Sequence, residues 1–250
     1  SSTLPKDNRS FFYPSFSLGW VVTDMLTKFK VDVPSWLSFA KVRASYAEAG
    51  NDTDPYQQLS VLSTVSNMAG GQMGVAEPST KANSNLKPEI IKSTEFGADI
   101  RFFDNRLGFD VTYYNKRAYN QIISMPSSIT SGYSAKYINA GRVDNWGWEL
   151  QMNATPVRTH DWNWNLWVNF AKNSSEVVEL YEGVESITLA RPMGQNCYVM
   201  AKTGEPYGQI YTNGFKYDEK GNRLVGDDGK YIVDPTLRVS GNMNPDWTAG

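Results

Sequence analysis

Polar side chains recur at every second position in two neighbouring stretches of this chain: Glu149, Gln151 and Asn153, then Asn163, Asn165, Trp167 and Asn169. Planar amides and carboxylates make directional hydrogen bonds, and an indole offers a flat apolar face. Such a set could hold a sugar by non-covalent contact; the lining of a water-filled channel would carry the same residues. Groups for covalent or metal chemistry are sparse. The single histidine, His160, sits beside Asp161 in a short turn and reads as a surface residue. With one histidine and one cysteine, Cys197, a His/Cys zinc site cannot be assembled. There is no G-x-S-x-G elbow, phosphate loop or dinucleotide-binding glycine pattern. The carboxylate pairs Glu182/Glu185 and Asp227/Asp228 read as solvated loop residues rather than a glycosidase pair. Residues 217–223 and 226–231 miss the calcium-loop spacing and read as two tight turns of a hairpin, with Val225 and Tyr231-Ile232-Val233 in its arms. The expectation is therefore no catalytic centre, no metal and no cofactor.

What must position the polar set is a matter of composition and period. The 250 residues are 13% aromatic and 40% hydrophobic, with 20 glycines, a mix that favours an all-β chain. A net charge of −2, with basic residues scattered, leaves no electrostatic footprint for nucleic acid. One cysteine excludes an intrachain disulfide framework. No apolar run approaches the roughly 20 residues of a membrane helix, and residues 1–10 lack the apolar core of a signal peptide.

Alternation with a period of two runs through long segments. Trp146, Trp148, Leu150 and Met152 share one face, opposite Glu149, Gln151 and Asn153. After a short turn over 156–161, Trp162, Trp164, Leu166, Val168 and Phe170 share a face opposite Asn163, Asn165, Trp167 and Asn169. Phe96, Ala98, Ile100 and Phe102 alternate with Gly97, Asp99 and Arg101, and Leu107, Phe109, Val111 and Tyr113 with Gly108, Asp110 and Thr112. Two weaker segments precede these. Six strands are expected near 11–22, 36–48, 92–103, 106–118, 143–155 and 161–172, with a helical turn possible between the first two. Several reach about 10–12 residues, whereas soluble strands average about 5–6 and membrane strands need about 9–11.

The connections alternate short and long, the long ones being 49–91, 119–142 and 173–250, as in bacterial barrels with short periplasmic turns and long extracellular loops. Trp20, Trp36, Phe102 and Trp162 fall towards the short-turn end and Tyr113, Trp146 and Trp148 towards the other, like two aromatic girdles. The fold class expected is thus all-β, an antiparallel transmembrane β-barrel segment. Lipid contact is assigned to Trp146, Trp148, Leu150, Met152, Trp162, Trp164, Leu166, Val168 and Phe170, and the lumen to Glu149, Gln151, Asn153, Asn163, Asn165, Trp167 and Asn169. Six strands cannot close a barrel, whose smallest examples have about eight, so a piece of something larger is expected.

Several runs carry a family resemblance. Asn139-Ala140-Gly141 followed by Asn145-Trp146-Gly147-Trp148-Glu149 is similar to a barrel segment of SusC/RagA-type TonB-dependent transporters. So are Phe12-Tyr13-Pro14-Ser15 with Gly19-Trp20, the run Leu37 to Tyr46 ahead of Gly50-Asn51, Leu86-Lys87-Pro88-Glu89 ahead of Thr94-Glu95-Phe96-Gly97, and Gly241-Asn242-Met243-Asn244-Pro245-Asp246-Trp247. They occur in family order along nearly the whole chain, without the family's plug domain or TonB-contacting segment. The resemblance implies uptake of a glycan or peptide fragment across the bacterial outer membrane, a SusD-like lipoprotein on the extracellular side, and TonB engaged through other parts of a parent chain. The competing reading is a soluble β-rich carbohydrate-binding module, whose apolar face a second sheet would cover; a weaker third is a surface-exposed adhesion or scaffold protein.

Overall fold

The computed structural model describes residues 3–66, 71–192 and 196–250. Its strands are β1 (Ser15–Val21), β2 (Leu37–Asn51), β3 (Ser63–Val65), β4 (Gly74–Ala76), β5 (Thr80–Lys81), β6 (Glu89–Phe102), β7 (Leu107–Pro126), β8 (Ala135–Arg158), β9 (Asn163–Glu179), β10 (Ser186–Ala190), β11 (Cys197–Lys202), β12 (Gln209–Phe215), β13 (Val233–Asn242) and β14 (Thr248–Ala249). One short α-helix, α1 (Val22–Lys28), follows β1. The main sheet is antiparallel along the order β1-β2-β6-β7-β8-β9-β14, and the two-residue β5 pairs parallel with the start of β8. A second sheet has the order β10-β11-β12-β13, and β3 pairs with β4.

The strands differ from the sequence expectation at their ends. The first begins at Ser15 rather than residue 11, because Tyr13 is drawn off to pack its phenol over Gly50, where a Cβ would lie 1.4 Å from the hydroxyl oxygen. It ends at Val21, where α1 takes over. The others are longer. β7 runs 20 residues and β8 runs 24, leaving only 127–134 of the anticipated loop over 119–142. A bilayer needs about 9–11 residues of strand, so more than half of β8 rises beyond it. Alternation fails in this upper part, where the left-handed Asn120 and Gly141 break the period. Ile138 and Ala140 are buried there. The 156–161 turn is also shorter: β8 continues through Arg158, with a bulge between Ala154 and Val157. Pro156 lies in that bulge and has no amide to give the ladder. The 173–250 loop holds the second sheet and the return strand β14.

Two of the family-like runs meet in one knot. The Asn139 side chain accepts from the Lys87 amide at 2.8 Å and donates to the Lys87 and Asn120 carbonyls at 2.8 and 3.0 Å. The Glu89 carboxylate accepts from the Ile122 amide at 2.8 Å and from Asn51 Nδ2 at 2.9 Å. Between them Leu86 is fully buried, and Asn8 Nδ2 donates to its carbonyl. Asn120 and Gly141 lie level with one another on β7 and β8, both with left-handed backbones (φ 56° and 79°). The left-handed residue interrupts the alternation. Ala140 and Val143, three residues apart, consequently line one apolar cavity of about 230 Å³, with Ile123, Leu180, Ile187 and Ala201 among its walls.

The second sheet hangs from β9 by the turn after β11. The Val177 amide donates to the Glu205 carbonyl (2.9 Å) and the Gly204 amide to the Val177 carbonyl (2.8 Å). Val143, Val177 and Ala201 form the buried cluster beneath. The Glu205 carboxylate accepts from Lys202 Nζ at 2.7 Å and from the Tyr211 hydroxyl. Lys202 first, then Tyr211, hold the Glu205 carboxyl below its ordinary pKa; burial first, then Glu205, pushes the Tyr211 phenol up to about 12.

Two outcomes follow. Asn139→Ala leaves three backbone groups of the knot without a partner and is expected to cost about 2 kcal/mol; limited proteolysis should then cut within 79–88 while the lower wall stays protected. A carboxyl depressed in the folded state stabilises above its unfolded pKa and loses that contribution as pH falls through the folded value. A phenol raised in the folded state stabilises below its unfolded value and loses that contribution as pH rises through about 12. Docking of the second sheet should therefore persist from neutral pH down past the ordinary glutamate range. Absorbance titration at 295 nm should show a tyrosinate appearing near pH 12 that Tyr211→Phe removes.

Candidate functional site

The main sheet has two unlike faces. One carries Leu18, Trp20, Val42, Phe96, Trp148, Trp164 and Leu166, with Leu18 72%, Trp148 54% and Trp164 58% exposed. Fully burying such a side chain is worth about 1.5–3 kcal/mol. Left in water, these would forfeit an amount comparable with the whole stability of a domain, about 5–15 kcal/mol. The second sheet does not cover them, so the soluble-module reading loses the cover it requires. Register joins the lipid-assigned residues into rows: Trp148 faces Tyr113 and Lys172, Leu150 faces Val111 and Phe170, and Met152 faces Phe109 and Val168. Tyr113 and Trp148 rings lie 4.9 Å apart. Trp146 pairs with Asn115 and Ser174, where the row turns polar. Trp162 lies in the turn rather than in β9, its amide capped by Thr159 Oγ1 at 3.0 Å.

The other face is polar. Glu149, Gln151, Asn153, Trp167 and Asn169 form one exposed patch, with Asn153 opposite Trp167 and Gln151 opposite Asn169. Asn163 and Asn165 sit below, beyond the bulge. Asn163 pairs with Arg158, and Asn165 Oδ1 accepts from Thr155 Oγ1 at 2.9 Å. His160 is almost wholly exposed, its ring nitrogen 2.8 Å from Asp161. Glu182, Glu185, Asp227 and Asp228 are also exposed. Among the described residues no three His, Cys, Asp or Glu side chains are placed to hold a metal ion. Residues 217–231 form two tight turns, closed by the Tyr217–Arg223 and Val225–Tyr231 bridges.

Two side-chain bridges that span three strands on this face fall on residues that the sequence reading passed over. Arg43 of β2 reaches across β6 to β7, donating to both Asp110 oxygens at 2.9 and 2.6 Å and to Thr112 Oγ1 at 2.6 Å. It passes directly over Gly97, where a Cβ would lie 2.5 Å from Arg43 Nε. Tyr114 of β7 does the same over Gly147, donating to Asn173 Oδ1 of β9 at 3.0 Å. The planar guanidinium matches a carboxylate in a fixed geometry, so such a bridge fixes register across three strands. Both partners are over a third exposed, so its net stabilisation is small. The readable signal was a glycine on the polar face, flanked two strands apart by complementary polar groups.

Comparisons with known proteins agree with this architecture. The sequence pattern of the family described as "TonB dependent receptor-like, beta-barrel" matches residues 1–250. "TonB-dependent receptor P3" of Formosa agariphila is 30% identical over 250 residues, covering 98% of this chain and 24% of that protein. "TonB-dependent receptor SusC" of Bacteroides thetaiotaomicron is 28% identical, over 94% of this chain and 25% of that protein. The chain thus spans about a quarter of the length of these relatives. The solved structure of the RagAB peptide transporter superposes with a TM-score of 0.77 at 23% identity, over 100% of this chain and 28% of that one.

A Cβ at Gly97 meets only a flexible side chain, whereas one at Gly147 lies 2.5 Å from the Lys172 backbone carbonyl. Gly97→Ala should therefore cost about 1 kcal/mol through the lost Arg43 bridge, and Gly147→Ala about 2–3 kcal/mol through strand displacement. Unfolding of the two variants side by side in detergent checks the order.

Proposed function

The chain belongs to the TonB-dependent receptor-like β-barrel family, an outer-membrane class, and from that premise we propose that it forms part of the wall of a receptor importing glycan or peptide fragments. The observation that carries the reading is the two-faced sheet: an uncovered apolar side and a hydrogen-bonded polar side, on strands longer than a bilayer requires. Trp146, Trp148, Leu150, Met152, Trp164, Leu166, Val168 and Phe170 touch acyl chains, and Trp162 anchors the periplasmic interface. Glu149, Gln151, Asn153, Asn163, Asn165, Trp167 and Asn169 line the lumen. The whole chain is wall, its long connections extracellular. The elevated β7–β8 hairpin and second sheet supply a platform there for a SusD-like lipoprotein, and TonB acts through other parts of the parent. Planar amides with an indole suit either a sugar or a peptide backbone. The solved structure it resembles at 23% identity is described as a peptide transporter, a likeness of fold, so the two substrate classes stand level on the residues alone.

The full-length parent should require detergent for recovery and migrate differently on electrophoresis before and after heating. Recovery as a folded monomer in detergent-free buffer would end the reading. Within the parent, Leu150→Arg should destabilise the barrel by about 2–4 kcal/mol, while Gln151→Arg, one residue on but facing water, should cost under about 1 kcal/mol. Equal costs would mean that the faces are misassigned. Growth of a strain lacking the receptor on oligosaccharide or on peptide separates the substrate classes.

A further inference from the structure

The apolar face ends upward in three rows set by register. The first is Ala44, Phe96, Tyr113 and Trp148; above it come Tyr46, Thr94, Asn115 and Trp146; above that stand Glu48, Lys92, Arg117 and Asp144. In this third row Lys92 and Arg117 are directly opposite one another on β6 and β7. Each has a carboxylate on its other flank. Glu48 meets Lys92 at 3.1 Å, and Asp144 stands 3.7 Å from Arg117 Nε while spending its closer contacts on Arg142. Both carboxylates lie deeper, 19% and 14% exposed, than the cations at 44% and 50%. The cations therefore form the outer layer. Arg117 makes no side-chain hydrogen bond among the described residues, nor do Thr94, Asn115, Tyr113 or Tyr119, and all five with Lys92 line one concavity of about 400 Å³.

We propose that this concavity seats the phosphorylated sugar headgroup of an outer-leaflet glycolipid, with its phosphate between Lys92 and Arg117. The inference rests on the membrane reading above, since it is the acyl-facing rows immediately below that make a lipid the occupant. The guanidinium fork and the ammonium neutralise the phosphate. Thr94, Asn115 and the tyrosine hydroxyls are left to hydrogen-bond the sugar. The acyl chains then descend along Phe96 and Trp148.

The test uses the full-length receptor in detergent, with lipopolysaccharide, inorganic phosphate and zwitterionic phospholipid vesicles as probes, and the double variant Lys92→Gln/Arg117→Gln. The wild type should hold lipopolysaccharide at least about tenfold more tightly than the variant, the loss expected for charge-assisted contacts. Phospholipid should show no difference, and phosphate at matched concentration should not compete. Freed of lipid, the variant should unfold somewhat earlier than the wild type, because Glu48 and Asp144 lose their partners; a variant destabilised in this way that still holds lipopolysaccharide as the wild type does would show a purely structural pair. Equal retention of lipopolysaccharide by both proteins, full displacement by inorganic phosphate, or loss of a co-purifying protein instead of lipid would each overturn the seat. A receptor that folds without detergent overturns the membrane reading and the seat together, whereas one that needs detergent but holds lipid indifferently overturns the seat alone.

Discussion

A backbone amide facing hydrocarbon has no water to pair with, so each N–H and C=O of a membrane wall must find its partner on a neighbouring strand. The long register between β6, β7, β8 and β9 meets that demand without a gap over the apolar rows. Its irregularities, the bulge at Pro156 and the paired left-handed Asn120 and Gly141, fall below and above those rows, where water can satisfy what the ladder leaves free. Membership of an outer-membrane family and the exposed tryptophans are two consequences of the same constraint.

A ladder of this kind fixes neighbours but leaves each strand free to slip by two residues, since such a slip preserves inside and outside. Side chains that cross a strand remove that freedom. Arg43 over Gly97 and Tyr114 over Gly147 tie strands two apart, and each works only because the intervening position has no Cβ. These bridges and the Glu149-to-Asn169 patch share the polar face of the sheet. The residues suited to meeting a solute therefore stand on a frame whose register is already fixed.

Above the apolar rows the chain builds ordinary packed layers. Asn139 stitches the 79–88 segment to the hairpin, Leu86 is buried between them, and Glu205 docks the second sheet on β9. Runs that resembled the family as separate words, around Leu86 and around Asn139, are halves of one contact. Neither half satisfies its polar groups alone.

The alternating lower halves of the strands were legible in the sequence because a sheet wetted on one side and greased on the other imprints a period of two. Trp148, Leu150, Gln151 and Asn153 could be assigned to faces from that period alone. The upper halves were not legible, because the left-handed Asn120 and Gly141 break the period and the Tyr119-to-Met125 stretch carries no alternation. Nor was the bridging of Arg43 to Asp110, since 67 residues separate them and only the pairing of β2, β6 and β7 brings them within reach. Which cation stands opposite which was likewise a matter of register, a property of strand pairs. Local pattern determined the faces; the alignment of one strand against another, set by turns, bulges and crossing side chains, decided what those faces hold.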